Sequence, residues 1–598
     1  MSLSESKTSY DGFTTITRGV DSGRAASLIG VDQVAFAVNT TFRNGYPRSR
    51  PGISQIDLSG DDFQLGKWQG AHAYQPETGR GVIIASIGGQ IIRFDPTNGD
   101  VVNLSTLSGL SNNPNLDQTW MTQAEIYMPI QNNSQIPLIF DGAGIRRANP
   151  VAFGGTELPV GNVMEYNNSR LWVALDDRRS FVGGDLAYSI TGTAADVLSF
   201  TENQFINGGG SFALPSDAGF IRSMRSLAIQ DSTLGQGPLQ VFGDFGTATV
   251  SAPFDRTLWQ NTDSPIQSVG LVSAGPRSQD ATINVNGDLW FRANDGIRSF
   301  MVARRDHGTW VNTPLSHEMD RVLNRDDQYL LGFASAVNFD NRLLMTASPY
   351  RATETDGTEH GIAHRGLVVL DFNPTTSMFS RGQPMWEGIW TGLQILQVVT
   401  VKIFGIDRCF IFSINASYDI ELWELSTDAL FDNLDTPIEW IIETRSMGFK
   451  DQSETLKQLQ RTERWLTEVA GTVTMDIKYR PDGFWGWIEL DSGSVCATTG
   501  VCSLTVCTPP SFPQLQYRPR KLSAAPGPDC EECASKPYRN GFEYQFKITM
   551  TGASAFRRFR AVATEVAENT TGGCLGEEVT CCEQLGCESS PWDYVIVE

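Results

Sequence analysis

This sequence predicts an all-β fold: a β-propeller of about six blades, then a smaller C-terminal β domain with a Cys-rich C-terminal insertion and tail. Three observations predict it. Short apolar or alternating runs bounded by Gly, Asn, Asp and Pro recur along the 598 residues, as strands joined by tight turns do. Charged residues make up 19% of the chain against 40% hydrophobic, with 57 Gly and 28 Pro, too few Glu, Lys and Arg for long surface helices. A strand–turn–strand unit repeats loosely at intervals of roughly 50–80 residues, about one four-stranded blade with variable loops.

The first unit is VIIASIGGQIIRFDPTNGD, turning at Gly88-Gly89. The second, NSRLWVALDDRRSFVGGDLAYS, begins at Asn168. PLQVFGDFGTATVSA turns around Gly243 to Gly246, and NGDLWFRANDGIRSF turns at Asn286-Gly287 and Asn294-Asp295-Gly296. The fifth pairs NRLLMTAS from Asn341 with GLVVLDF from Gly366, and the sixth is RCFIFSINASYDIELWEL, Arg408 to Leu425. A lone hairpin cannot bury both faces, whereas blades stacked around an axis bury them and leave only short edges. A β-sandwich or β-helix would produce similar hairpins, but the propeller is favoured. It spans 26–430, after an N-terminal arm over 1–25.

Past Asp435-Thr436-Pro437 the rhythm changes. EWIIETRSMGF reads as a strand. Leu456, Leu459, Leu466 and Val469 are spaced for a helix face, while Val473, Met475, Ile477 and Tyr479 alternate as a strand does. FEYQFKITM and FRRFRAVATEV read as a further strand pair. The second domain therefore covers 436–568, interrupted by a Cys/Pro-rich insertion over 492–536 and followed by a Cys-rich tail, 569–598.

The formal charge is −22. That argues against gripping nucleic acid, which needs clustered Lys and Arg, yet suits a conduit that DNA slides past. The start, MSLSESKTSYDG, has no basic and apolar leader pattern, and no apolar run reaches the roughly 18–20 residues that span a bilayer. Membrane insertion is not expected, and the Asn39-Thr40-Thr41 and Asn569-Thr570-Thr571 triplets read as chance matches to a glycan acceptor.

Chemistry-bearing motifs are sparse. Among five histidines, His360 and His364 have helical zinc-ligand spacing, but DGTEHGIAHRG reads as a loop between strands. Gly208-Gly209-Gly210-Ser211 lacks the following lysine of a phosphate loop and reads as a turn. Asp306-His307-Gly308-Thr309-Trp310 is a single near miss to the repeated Asp-box turn of sialidases. Trp386, Trp390, Trp485 and Trp487 read as fillers between blades rather than sugar platforms. No catalytic residue, cofactor or metal site is expected, and the chain is read as a non-enzyme.

The opening GVDSGRAASLIGVDQVAFAVNTTFRNGYPRSRPGIS, with its turn Arg48-Ser49-Arg50-Pro51-Gly52, resembles the start of many phage virion proteins. The order that follows resembles the tail nozzle, or packaged-DNA-stabilisation, proteins of short-tailed bacteriophages. The matching strings are Asn168 to Trp172 (with an inserted Ser), Val241 to Thr247, Gly287 to Ser299, and the Arg-rich Phe556-Arg557-Arg558-Phe559-Arg560. The resemblance covers about residues 19–565 and implies a β-propeller tail protein. It implies a homo-oligomeric ring, usually a hexamer, below the portal or adaptor. Genomic DNA would pass through the ring without sequence-specific binding, and fibre or needle proteins would dock on it. The expected location is the virion tail, after assembly in the host cytoplasm. The alternatives are a carbohydrate-binding or carbohydrate-cleaving propeller in receptor recognition, and a neck or collar component.

Nine of ten cysteines lie at Cys496, Cys502, Cys507, Cys530, Cys533, Cys574, Cys581, Cys582 and Cys587, with Cys409 apart. Only Cys530 and Cys533 form a Cys-x-x-Cys pair, where a zinc ribbon wants two. A disulfide framework is favoured over metal or free thiols. It would form once a virion leaves the reducing cytoplasm, and the odd count points to an intersubunit bridge or one free thiol.

Overall fold

Seven blades follow one another along the described residues and close into a ring. The computed structural model describes residues 8–565 except 77–78, 149–156, 187–197, 200–209, 228–236, 252–265, 270–273, 302–313, 374–383, 450–454, 483–485, 497–515 and 522–539. Five blades are separate sheets of three to five strands, whose first strands are Trp68–Tyr74, Trp120–Met121, Gly161–Asn167, Ser223–Ser226 and Thr282–Val285. Two more are antiparallel meanders within the large sheet. Blade 6 runs Ala336–Phe339, Arg342–Thr353, Glu359–Asp371, Met385–Trp390. Blade 7 runs Gln394–Ile403, Ile406–Ile414, Ile420–Leu425 and takes its fourth strand, Ile53–Ile56, from the other end of the chain.

Each blade's first strand lies against the first strand of the next, and that of blade 7 against that of blade 1. The core repeats the same cycle, because each sheet buries its faces only against its neighbours. Tyr74, Ile84 and Ile91 meet Met128, Ile130 and Phe140 between blades 1 and 2. Trp172 and Phe181 meet Leu239 and Val241 between blades 3 and 4, and Trp68 and Phe94 meet Phe410 and Phe412 between blades 1 and 7. The all-β propeller is thus present, and the six hairpins read from sequence are all second-and-third strand pairs of blades.

The turns are the expected kind. Gly88-Gly89 (φ 54° and 79°) and Asn286-Gly287 (φ 53° and 81°) are left-handed at both positions, as two-residue hairpins between right-twisted strands require.

The second domain is a sheet built on two long strands, Lys457–Pro481 and Tyr544–Glu565, of 25 and 22 residues. The helix spacing over 456–469 does not produce a helix. Pairing with Tyr544–Glu565 runs from Lys457 to Pro481, with bulges around 459–461 and 467–474 that displace the alternation. The two segments read as a strand pair near the C terminus are instead one continuous strand, crossing Gly552 at φ 109°.

The N-terminal segments hold the two parts together. Thr8–Phe13 pairs with Tyr544–Glu565. Val34–Val38 lies between blade 6's last strand, in parallel, and Glu439–Thr444, antiparallel. The largest apolar cluster spans this seam, from Trp290 and Trp386 through Val34 and Phe36 to Trp440, Tyr544 and Phe559. Among the described residues no helix is long and apolar enough to cross a membrane.

Candidate functional site

All first strands of a propeller run the same way along the axis, so their N-terminal ends gather at one face of the ring. In this chain those ends enclose a cavity of about 380 Å³. Gln118 and Trp120 reach it from the start of blade 2, Asn162 from blade 3, Arg222 from blade 4, Arg277 and Gln279 from blade 5. Arg178 and Asn133 arrive on the turns between second and third strands of blades 3 and 2, which end at the same face.

The charges there do not cancel. Asp244 accepts from Arg222 Nε at 2.7 Å and Arg277 Nη1 at 3.0 Å through one oxygen, and from the Phe220 backbone N–H at 2.9 Å through the other. Burial, then the neighbouring Arg222, pull Arg277 below the usual arginine pKa, with Asp244 opposing; it stays charged at any physiological pH. Arg178, half-buried at φ 56°, has no side-chain partner among the described residues. Asp117, the carboxylate on the wall, pairs with Lys67, which is shared with Glu359. Three guanidiniums therefore line the cavity, two of them sharing Asp244, in a chain of net charge −22.

The amides are unevenly used. Gln279 is spent on Met224 N, Met224 O and Met164 O at 2.8–3.1 Å, which holds blades 3, 4 and 5 in register. Asn162 is 2% exposed and its Oδ1 accepts from Val163 N at 2.7 Å, while its Nδ2 has no partner among the described residues. Asn133 Oδ1 is buried and unpartnered.

Deeper along the axis, Arg225 joins Glu165 at 3.0 Å and the carbonyls of Thr282 and Gln279 at 2.7 and 3.0 Å. His72 and Asp280 lie there, half-buried. Burial, assisted by Arg225, lowers His72 to about 4, and burial raises Asp280 to about 6 against the pull of Arg225.

The residues singled out in sequence are not brought together. His360 and His364 lie in the strand Glu359–Asp371, not in a loop, because the hairpin turns earlier, at Glu354 to Thr358. Four residues along a strand separate them by about 13 Å. His360 instead bonds Glu354 at 2.5 Å and stacks on Tyr418, and His364 is buried against Ile395 O. Among the described residues no three His, Cys, Asp or Glu side chains are grouped to hold a metal. Trp386 and Trp390 are buried, and Trp487 is half-buried beneath Arg480.

Cys496 ends the strand Ile488–Cys496. Cys502, Cys507, Cys530, Cys533, Cys574, Cys581, Cys582 and Cys587 lie outside the described residues, as do Trp485 and the turn 306–310. Cys409 is buried and free, its thiol pushed up by burial. The arginines were missed because they are far apart in sequence. Their one signal is local: Arg222 directly precedes a first strand, and Arg178 sits in the polar turn Asp176 to Arg179.

No protein-family model matches the chain, and no curated protein does. Among solved structures it is similar to the β-propeller domain of Cps50 (Swd1) from Myceliophteria thermophila, at 10% identity and TM-score 0.33, covering 63% of this chain and 100% of that one. It is also similar to YCF48 from Cyanidioschyzon merolae, at 9% identity and TM-score 0.31, covering 62% and 98%. A Trypanosoma rangeli sialidase mutant displaying trans-sialidase activity shares 8% identity at TM-score 0.27, covering 86% and 96%. Likenesses this remote carry no argument about function.

Proposed function

We propose that the chain is a structural virion component without turnover, a ring-forming tail nozzle or hub that conducts and retains the genome and docks other tail parts. What supports this reading is the use made of the residues behind the resemblance. Asn39 accepts from Thr391 N at 2.7 Å and Arg50 Nε at 3.2 Å and donates to Glu439 O at 3.0 Å. Arg50, 4% exposed, grips both oxygens of Asp432 at 2.9 Å. At Gly52 a Cβ would fall 2.0 Å from Phe431 O, so only glycine lets the turn lie against blade 7. In the Arg-rich strand, Phe556 and Phe559 are buried against Phe13.

These motifs therefore weld propeller, N-terminal segment and C-terminal sheet into one body, the property required of a part that resists internal pressure. The acidic surface suits a channel that must not hold DNA. Native mass measurement tests it: a ring near six chains of 65.7 kDa is expected, recovered from purified virions. A monomer at every concentration, absent from virions, overturns it.

The arginine-lined cavity favours a second reading, a propeller that binds carbohydrate in receptor recognition. The two readings are compatible in a tail protein.

A further inference from the structure

We infer that the axial cavity is a binding site for a sugar residue bearing a carboxylate. The inference rests on the carbohydrate-binding reading and does not depend on the nozzle assignment.

The hydrogen-bond inventory of the cavity is lopsided. Arg178 offers its whole guanidinium, and Arg222 and Arg277 retain donors beyond those given to Asp244. Asn162 Nδ2 adds a donor from a side chain only 2% exposed. Several acceptors are already engaged: Asp244 by three donors, one oxygen of Asp117 by Lys67, and Asn132 Oδ1 by the Ser134 and Gln135 backbone N–H groups at 3.1 and 3.0 Å. A wall carrying three guanidiniums with donors to spare is completed by an anion rich in acceptors, and guanidinium forks match a carboxylate in two-point geometry.

The rest of the wall separates a sugar acid from a bare anion. The cavity, about 380 Å³, falls within the range of small-molecule sites, roughly 300–1,000 Å³, and is much larger than a lone carboxylate or phosphate needs. Trp120, half-buried, and Tyr329, 91% exposed, offer ring faces at the wall and rim, surfaces suited to the C–H face of a pyranose. Asn133 Oδ1, the unpartnered buried acceptor, supplies what a hydroxyl donor would need. Cation, aromatic faces and amides with open valences are together the complement of a carboxylated pyranose.

Calorimetric titration of the full chain tests the assignment, with glucuronate, its methyl ester, glucose and inorganic phosphate as probes. Saturable glucuronate binding is expected, at least tenfold tighter than the methyl ester or glucose. Arg178→Gln should weaken it at least tenfold. Asn162→Asp, which sets a negative charge beside the site, should abolish it. Arg178 has no partner to lose, so Arg178→Gln should melt with the parent, and melting curves on both variants separate binding loss from misfolding. Equal affinity for glucose and glucuronate, or no saturation by glucuronate, overturns the inference. Phosphate binding as tightly as glucuronate marks a bare anion site and overturns the sugar assignment. None of these results bears on ring mass, which tests the nozzle reading separately.

Discussion

At the scale of single residues, His364 shows how pattern and placement part company. Its spacing from His360 fits a zinc pair and its glycine-rich surroundings read as a loop; the strand that carries it makes it a core residue at 0% exposure, with Nδ1–H toward Ile395 O at 3.2 Å and Nε2 unpartnered. Burial lowers its pKa to about 4, the hydrogen bond to Ile395 opposing, whereas an unfolded histidine titrates near 6.5. Between those values the unfolded chain binds a proton that the native one refuses, so this histidine's contribution to stability is lost as pH falls from 6.5 toward 4. His364→Gln removes that titration. The unfolding free energy of the parent relative to the variant should therefore decline across the window in urea titrations at stepped pH, and a constant difference would count against it. The arginines of the cavity illustrate the opposite failure of pattern. Arg178, Arg222 and Arg277 have no motif spacing, and only the stacking of blades 3, 4 and 5 gathers them.

At the scale of elements, the hairpins were legible and the joins between them were not. Each of the six sequence units is a second-and-third strand pair, where both faces are buried and turn residues are most constrained. Blade 2 escaped notice because Pro129 lies within Met128–Gln131 and Pro137 directly precedes Leu138–Phe140, and proline argues against a central strand. The long strands were misread where bulges interrupt alternation, at 459–461 and 467–474. Nothing local marks Ile53–Ile56 as the closing strand of blade 7, since its partner Ile420–Leu425 is met only when the ring shuts. Arg50 sits beside that closure, and Asp432 also accepts from Ile53 N at 2.9 Å. Arg50→Ala leaves Asp432 with its charge uncompensated at 21% side-chain exposure. The expected loss is about 3 kcal/mol, the lower end for breaking a buried pair, read as a reduced urea midpoint at unchanged slope.

At the scale of the whole molecule, the seam through Val34–Val38 leaves no clean boundary between propeller and C-terminal sheet, because one apolar cluster runs through both. A single calorimetric transition is expected for the described body, and two separable transitions would show that the seam does not couple them. The closing strand has a further consequence, in time rather than space. Thr8 is paired with Thr564, Phe36 with Glu443 and Ile53 with Leu425. These segments are thus made long before their partners, and the ring stays open until some 370 residues after Ile53 have been made. Contacts this distant along the chain make for slow folding. Until Met385–Trp390 and Glu439–Thr444 have been made, the apolar strand VAFAV lacks both of its sheet partners, so successful assembly depends on how long that one segment can wait.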